Sequence, residues 1–535
     1  MPSITLDGKE IPFEKGDTII KAAHRLGIEI PHYCWHPGLS VAANCRMCLV
    51  EIDPMQNRRQ IVLDVLRWDG EKQAYVTDKK PKLEPACQAE CADGMVVKSD
   101  TSKHVVEARR AVQEFLLLNH PVDCPICDQA GECKLQDYWL EQDRKPKRMH
   151  DEMVHKPKAV SFGPTVVYDA ERCIVCTRCV RFMDEVAKDP VLDKRERGNL
   201  GEIVLSPGRQ LEGHYTMMVD HVCPVGALTT TDFRFKARVW FLRQAESVCS
   251  GCATGCNTWV DYDARTGEVP RLRPRDNEAV NKYWMCDDGI RTHRRVQDDR
   301  LLHAFVGKGA SRKQAAPKQA LESAANIVRA AQGRLAVVLS AQATTEENFA
   351  LAHLATTYLG VSSFYLARLA DWDADDILRD ADQNPNTRGA TAVARGAVRP
   401  LADLGRAIES GEVGTVLALG GPADVDDATA AALARARTVV IAANQSALSD
   451  AAEVILPASS FAEIDGSYVN RQGREQRLHA GPAPAGESRP GWEIVVRLAR
   501  TLGHPLRWTK LADVRHALAG APALSSEAAA ATPAE

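Results

Sequence analysis

All sixteen cysteines of this 535-residue chain lie between Cys34 and Cys286, and none follows. They form four groups: Cys34, Cys45 and Cys48 with Cys87 and Cys91; Cys124, Cys127 and Cys133; Cys173, Cys176 and Cys179 with Cys223; and Cys249, Cys252 and Cys256 with Cys286. These are the spacings of iron–sulfur ligation rather than of disulfide pairing. The opening MPSITLDGKEIPFEKGDTII has neither the basic-then-apolar build of a secretory signal nor a twin-Arg start, so the thiols are expected to stay in a reducing compartment. The first half of the chain reads as an electron wire.

A chain this long exceeds one hydrophobic core and should form several domains. Its 67 basic and 71 acidic side chains nearly cancel, so no field favours nucleic acid. No run of 18 apolar residues occurs, which excludes a spanning helix but leaves peripheral attachment to a membrane complex open.

Ile4, Leu6, Ile11 and Phe13 sit in two short alternating runs joined through Asp7-Gly8, a hairpin signal, and the stretch from Thr18 to Gly27 has helical spacing. Strand, strand, helix is how a β-grasp ferredoxin begins. A cysteine loop follows with Cys34, Cys45 and Cys48, and Cys87 can supply the fourth thiolate that a binuclear cluster needs. The loop resembles the [2Fe–2S] domain of the large iron–sulfur subunit of respiratory complex I, notably at Asn44-Cys45-Arg46-Met47-Cys48-Leu49-Val50-Glu51. The Ala-Cys context of that family favours Cys87 over Cys91, although Glu90-Cys91 stands where the family usually has Pro-Val.

Val105, Val106, Val112, Phe115 and Leu116 predict a helix between Thr101 and Asn119, with Ser99, Asp100 or Thr101 as cap and Pro121 as its stop. At its end stands His120, in the pattern H-x3-C-x2-C-x5-C with Cys124, Cys127 and Cys133. The segment NHPVDCPICDQAGECKLQD resembles the part of the same complex I subunit in which one histidine and three cysteines hold a [4Fe–4S] cluster. An imidazole in place of a thiolate removes negative charge and should raise the cluster's potential.

After a basic linker from Asp143 to Lys158, Cys173, Cys176 and Cys179 are spaced as in a bacterial ferredoxin, with Met183 where a fourth cysteine would stand and Cys223-Pro224 far downstream. In two-cluster ferredoxins the Cys-Pro cysteine of one motif ligates the other motif's cluster, so these four can share one [4Fe–4S] cluster. The positions of a second cluster, Gly213, Thr216 and Val219, carry no thiol. Cys249, Cys252, Cys256 and distant Cys286 resemble the small [4Fe–4S] domain of molybdopterin oxidoreductases, and WVDYDARTGEVPRLRPRD between them predicts a hairpin turning at Thr266-Gly267. By the resemblance, that cluster lies off the main electron path. For the first two groups and the fourth, structural zinc is the competing reading.

Beyond residue 300 the chain turns Ala-rich. Leu335 to Leu339, Val413 to Leu419 and Thr438 to Ala442 predict buried strands, and Thr345 to Tyr358 and Asp426 to Ala436 predict helices of a parallel, Rossmann-like sheet. Gly420-Gly421 reads as a tight strand-to-loop turn before it reads as a phosphate cradle. The stretch around Gly466, Asn470 and Gly473 resembles the late part of molybdopterin enzymes, where such residues line the pterin. No thiol is left to hold molybdenum, and Asp288 replaces the Lys common in such enzymes. A shortened, inert remnant is expected, kept for packing or docking.

The expected architecture is multidomain, α+β then α/β: a [2Fe–2S] ferredoxin-type domain at 1–98, a His(Cys)3 segment at 99–138, a ferredoxin-like [4Fe–4S] domain at 139–241, a Mo/W-enzyme-type [4Fe–4S] domain at 242–300, a molybdopterin-oxidoreductase-like domain at 301–520 and a disordered tail at 521–535. The resemblance to complex I implies one [2Fe–2S] and three [4Fe–4S] clusters, with no molybdopterin and no FMN in this chain. It implies electron relay from an FMN- and NADH-binding subunit through the binuclear cluster, the Cys173 set and the His120 set, then through other hydrophilic-arm subunits toward quinone. The whole complex would couple this to proton translocation at the cytoplasmic side of the inner membrane. The rivals are an iron–sulfur subunit of an NAD-linked formate dehydrogenase or hydrogenase, and a non-redox zinc scaffold.

Overall fold

A computed structural model of the chain describes residues 1–55, 59–143, 148–361, 363–394 and 398–520; the expected tail and part of the basic linker lie outside the described residues. The chain divides into two units, Met1–Trp240 and Phe241–Glu535.

The first unit opens with strands Ser3–Leu6 and Lys9–Pro12, antiparallel across Asp7-Gly8, where both residues take positive φ. Helix Ile19–Arg25 follows and gives way to Gly27 at φ 69°. Ser3–Leu6 also pairs in parallel with Val96–Lys98, which runs antiparallel to Leu49–Ile52, and Glu84–Pro85 completes a five-stranded sheet. Ile4, Leu6, Ile11, Ile19, Ile20, Val50 and Val97 are buried between sheet and helix. The alternating hydrophobic runs thus find the core their period of two predicts.

Helix Lys103–Leu117 is capped by Ser102, whose hydroxyl accepts from Val105 N. Its inward face differs from the one its apolar pattern suggests. Phe115 is 71% exposed, while Arg109 and Gln113 are fully buried. Arg109 pairs with Asp100 and donates to Ser99 Oγ and to Leu49 O, and Gln113 accepts from Tyr33 Oη and donates to Leu135 O. These hydrogen bonds offset much of the cost of burying two polar side chains beside the buried Val105.

The hairpin Val62–Asp69 and Ala74–Pro81, which the hydrophobic pattern does not announce, pairs with no third strand among the described residues. Its Leu66, Trp68 and Tyr75 are exposed, with Trp68 and Tyr75 edge to face at 5.2 Å.

The rest of this unit is built from small sheets: Val160–Ser161, Val166–Tyr168 and Leu228–Thr230 in one, Leu192–Arg195 with Glu202–Leu205 in another. Helices Arg178–Glu185 and Met218–Val222 abut the cysteines of the third group.

In the second unit, Leu242–Val248, Asn257–Asp263 and Arg271–Pro274 form an antiparallel sheet whose predicted turn has Gly267 at φ 80°. An eight-stranded sheet follows, in the order Lys313–Ala315, Ala304–Val306, Val454–Pro457, Arg437–Ala442, Thr415–Leu419, Leu335–Ser340, Phe364–Ala367, Val398–Pro400. Its last six strands are mutually parallel. Helices Pro317–Arg329, Thr345–Tyr358 and Gly491–Leu502 pack on one face and Leu401–Glu409 and Asp427–Arg435 on the other, as parallel strands buried on both sides require. Among the described residues no helix is long and apolar enough to cross a membrane.

Candidate metal centres

In the first group, Cys34 and Cys45 stand side by side, with the Cys34 amide 3.5 Å from Cys45 Sγ, and Cys48 is paired with Cys87. Hydrogen bonding from Cys45 holds the Cys34 thiol down to about 5, while the same contact pushes Cys45 up. Cys87 also feels Cys34 and Cys45, so the four sulfurs share one locality. Cys91 stands apart: burial raises its thiol to about 11, its charged neighbour is Arg25, and its amide donates to Asp17 O.

Cys124, Cys127 and Cys133 act electrostatically on one another. His120 is brought near Asp123, Arg172 and Lys158, and burial holds its imidazole down to about 4, a neutral ring with a lone pair to offer. Gly226 of Cys223-Pro224-Val225-Gly226 closes over this loop: a Cβ there would overlap Cys127 Sγ.

Cys173, Cys176, Cys179 and Cys223 lie within mutual electrostatic range, Cys176 and Cys179 buried and Cys173 and Cys223 partly so, and burial raises each thiol. The loop reaches this arrangement through left-handed backbone at Val175 (φ 52°) and Thr177 (φ 60°), uncommon for branched residues and characteristic of functional loops. Val175 N donates to Cys173 Sγ at 3.4 Å. Where a second cluster would sit, Met183 and Val219 are buried and Thr216 Oγ1 bonds Thr165 Oγ1 at 2.9 Å, so packing fills that half of the pseudo-repeat.

In the second unit Cys249, Cys252, Cys256 and Cys286 also influence one another. Gly251 N and Gly289 N each donate at 3.3 Å, to Cys249 Sγ and Cys286 Sγ respectively, and a Cβ at Gly289 would stand 2.9 Å from Cys249 Sγ. Of the three residues likened to a pterin lining, Asn470 serves this loop, its Nδ2 donating to Thr254 O, while neighbouring Arg471 N donates to Ala253 O and Gln476 Nε2 to Gly255 O; Gly466 packs instead against Thr344. Gly420 is glycine because a Cβ would strike Ala442 Cβ at 2.7 Å, which agrees with a packing turn. The cavity at the carboxyl ends of the parallel strands, lined by Arg295, Gln342, Gly421, Ser459 and Tyr468, measures about 70 Å³.

Among the described residues no three His, Cys, Asp or Glu side chains are gathered as ligands of a single metal ion. The surroundings nonetheless fit sulfur-rich anionic clusters. Beside the cysteine sets, Arg178 Nε, Arg181 Nε and Ser250 Oγ are buried polar atoms without a partner among the described residues, and glycines stand where a side chain would strike sulfur. Buried thiols with raised pKa values would release protons on binding iron.

Models of known families match along most of the chain: a 2Fe-2S iron-sulfur cluster binding domain at residues 2–102, the NADH-ubiquinone oxidoreductase-G iron-sulfur binding region at 109–147, the ferredoxin-like domain of NADH-quinone oxidoreductase subunit 3 at 163–229, an NDSU1/NuoG-like 4Fe-4S domain at 242–292 and molybdopterin oxidoreductase at 323–501. The chain is thus an iron–sulfur protein with 2Fe-2S and 4Fe-4S binding domains and a molybdopterin-oxidoreductase region. The NADH-quinone oxidoreductase G subunit of Streptomyces coelicolor is 35% identical over 70% of this chain and 42% of its own length, and that of Rickettsia conorii 32% identical over 71% and 52%. A solved NAD+-reducing [NiFe]-hydrogenase in the H2-reduced state is 26% identical over 44% of this chain and 91% of its own, with a TM-score of 0.36. Over about 70% of its length the chain is similar to NADH-quinone oxidoreductase G subunits, and it spans about half the length of the curated relatives it matches.

Proposed function

We propose that this chain is an electron-transfer subunit of an NADH:quinone oxidoreductase, carrying one [2Fe–2S] cluster on Cys34, Cys45, Cys48 and Cys87 and three [4Fe–4S] clusters on the His120, Cys173 and Cys249 sets. Bound clusters supply one-electron carriers. The chain supplies their spacing and potentials: backbone amides directed at sulfur, burial, and arginines between loops. The carrying observation is that such arginines join the cysteine loops of the first unit in series. Arg181 donates to Cys34 O and Cys176 O, and Arg172 donates to Asp123 and Ile126 O next to Cys127. A β-grasp reading of the first sheet and a shortened remnant without pterin belong to the same proposal. So do docking on an FMN- and NADH-binding subunit and other hydrophilic-arm subunits, relay toward quinone, and a place at the cytoplasmic side of the inner membrane.

Metal analysis with low-temperature EPR on anaerobically purified protein during stepwise reduction tests this. About 14 iron atoms per chain, one binuclear and three tetranuclear signals and no molybdenum are expected. Stoichiometric zinc with little iron would overturn it, and molybdenum would move the assignment toward a formate-dehydrogenase-like enzyme.

A further inference from the structure

Two arginines on one short helix reach across to a different cysteine loop. Arg178 and Arg181 lie three residues apart on Arg178–Glu185, and so on neighbouring parts of its surface. Arg178 is buried; its Nη2 donates to Trp35 O, beside Cys34, and its Nη1 to Val222 O, beside Cys223, at 3.4 Å. Arg181 donates through Nη2 to Cys34 O at 2.6 Å and to Cys176 O at 3.4 Å, and through Nη1 to Ser40 O. The acidic groups whose ionisation bears most on Arg178 are Cys176, Cys223 and Cys34, drawn from two cysteine sets, and the charge of Arg181 bears on both Cys34 and Cys176. Both Nε–H groups are buried donors with no partner among the described residues.

A buried cation without an acceptor for one of its donors is costly unless an anion completes it. Further contacts fix the approach: Ser40 donates through N to Glu185 at 2.8 Å, and Asn44 Nδ2 to Val175 O at 3.4 Å. The Cys34–Cys45 loop is thereby tied to the Cys173–Cys179 loop along a single seam, with both guanidinium groups in it.

We propose that Arg178 and Arg181 form a cationic bridge shared by the Cys34/Cys45/Cys48/Cys87 set and the Cys173/Cys176/Cys179/Cys223 set, favouring the reduced, more negative form of both. Each set gains one electron and one negative charge on reduction, and the bridge itself exchanges neither proton nor electron. This rests on the iron–sulfur reading above, and the pair act as positioning and tuning residues.

The test is an EPR-monitored redox titration of the intact complex carrying Arg181→Gln, Arg181→Lys or Arg178→Met, with iron counted in each. With iron complete, Arg181→Gln lowers the one-electron reduction equilibrium of both sets about tenfold, a shift of about 59 mV in each potential. Arg181→Lys keeps the charge and restores both to within about twofold of the wild type. Unchanged potentials in an iron-replete Arg181→Gln protein, a shift in one set alone, or no recovery with lysine overturns the bridge. If Arg178→Met does not accumulate, the Arg181 pair decides alone. Wild-type protein lacking these two signals would instead sink the underlying iron–sulfur reading.

Discussion

At the scale of single residues, the cysteines divide by their neighbours. Cys87 sits against Cys48 and senses Cys34 and Cys45, whereas Cys91 faces Arg25, so the two should respond oppositely to substitution. Cys87→Ser is expected to abolish the binuclear EPR signal and cost about two iron atoms per chain. Cys91→Ser should keep both; loss of the signal there would reassign the ligand. His120→Cys should lower the potential of its centre, because a thiolate adds negative charge where the neutral imidazole had none. An unchanged titration would count against His120 as a ligand. The grouping of cysteines was legible in the chain because ligand spacing is local. The arginines were not: Arg178 and Arg181 acquire meaning only from Trp35, Cys34 and Ser40, more than a hundred residues away in sequence.

At the scale of elements, hydrophobic period served well where cores are apolar. It predicted the first two strands, the central strands of the parallel sheet and helix Thr345–Tyr358. It located the helix Lys103–Leu117 and its buried Val105 but gave no sign that Arg109 and Gln113 turn inward beside it to a polar network. It also gave no sign of the hairpin Val62–Asp69/Ala74–Pro81, whose apolar residues lie exposed and so obey no burial period. The antiparallel sheet of the second unit holds a buried charge cluster: Asp261, 1% exposed, takes Arg271 Nε and Arg273 Nε at 2.7 Å each. Burial alone would raise this carboxyl, but Arg271 and Arg273 hold it below the usual carboxylate range. Its contribution to stability is therefore complete above the unfolded carboxylate value, near ~3.9, and fades as pH falls through the lowered folded value. Asp261→Asn should cost about 3 kcal/mol at neutral pH and remove that acid-side dependence, read by denaturant titration at several pH values. Equal stability of variant and wild type at pH 7 would refute the role. In the same unit a Cβ at Gly466 would overlap Thr344 Cγ2, so Gly466→Ala should destabilise by roughly 1–3 kcal/mol in the same titration. The accompanying variant Thr344→Ser, which trims the clashing methyl, should recover part of that loss.

At the scale of the whole molecule, the two units hold together differently. The eight-stranded sheet carries large apolar layers on both faces, while the first unit strings its cysteine loops between sheets of two to five strands. Protein made under iron limitation should thus lose amide protection at Val166–Tyr168 and around Cys176 while Leu335–Ser340 and Thr415–Leu419 stay protected in hydrogen exchange. Equal protection with and without iron would show that the cysteine loops fold unaided. The sequence by itself determined the four cysteine groups, the strand and helix periods and the Ala-rich parallel sheet, since each rests on spacing within a few dozen residues. Only the tertiary structure decided which polar side chains turn inward and which arginines stand between two loops. Those outcomes depend on burial and on charge between groups far apart in the chain, and both are set by distance in space rather than order in sequence.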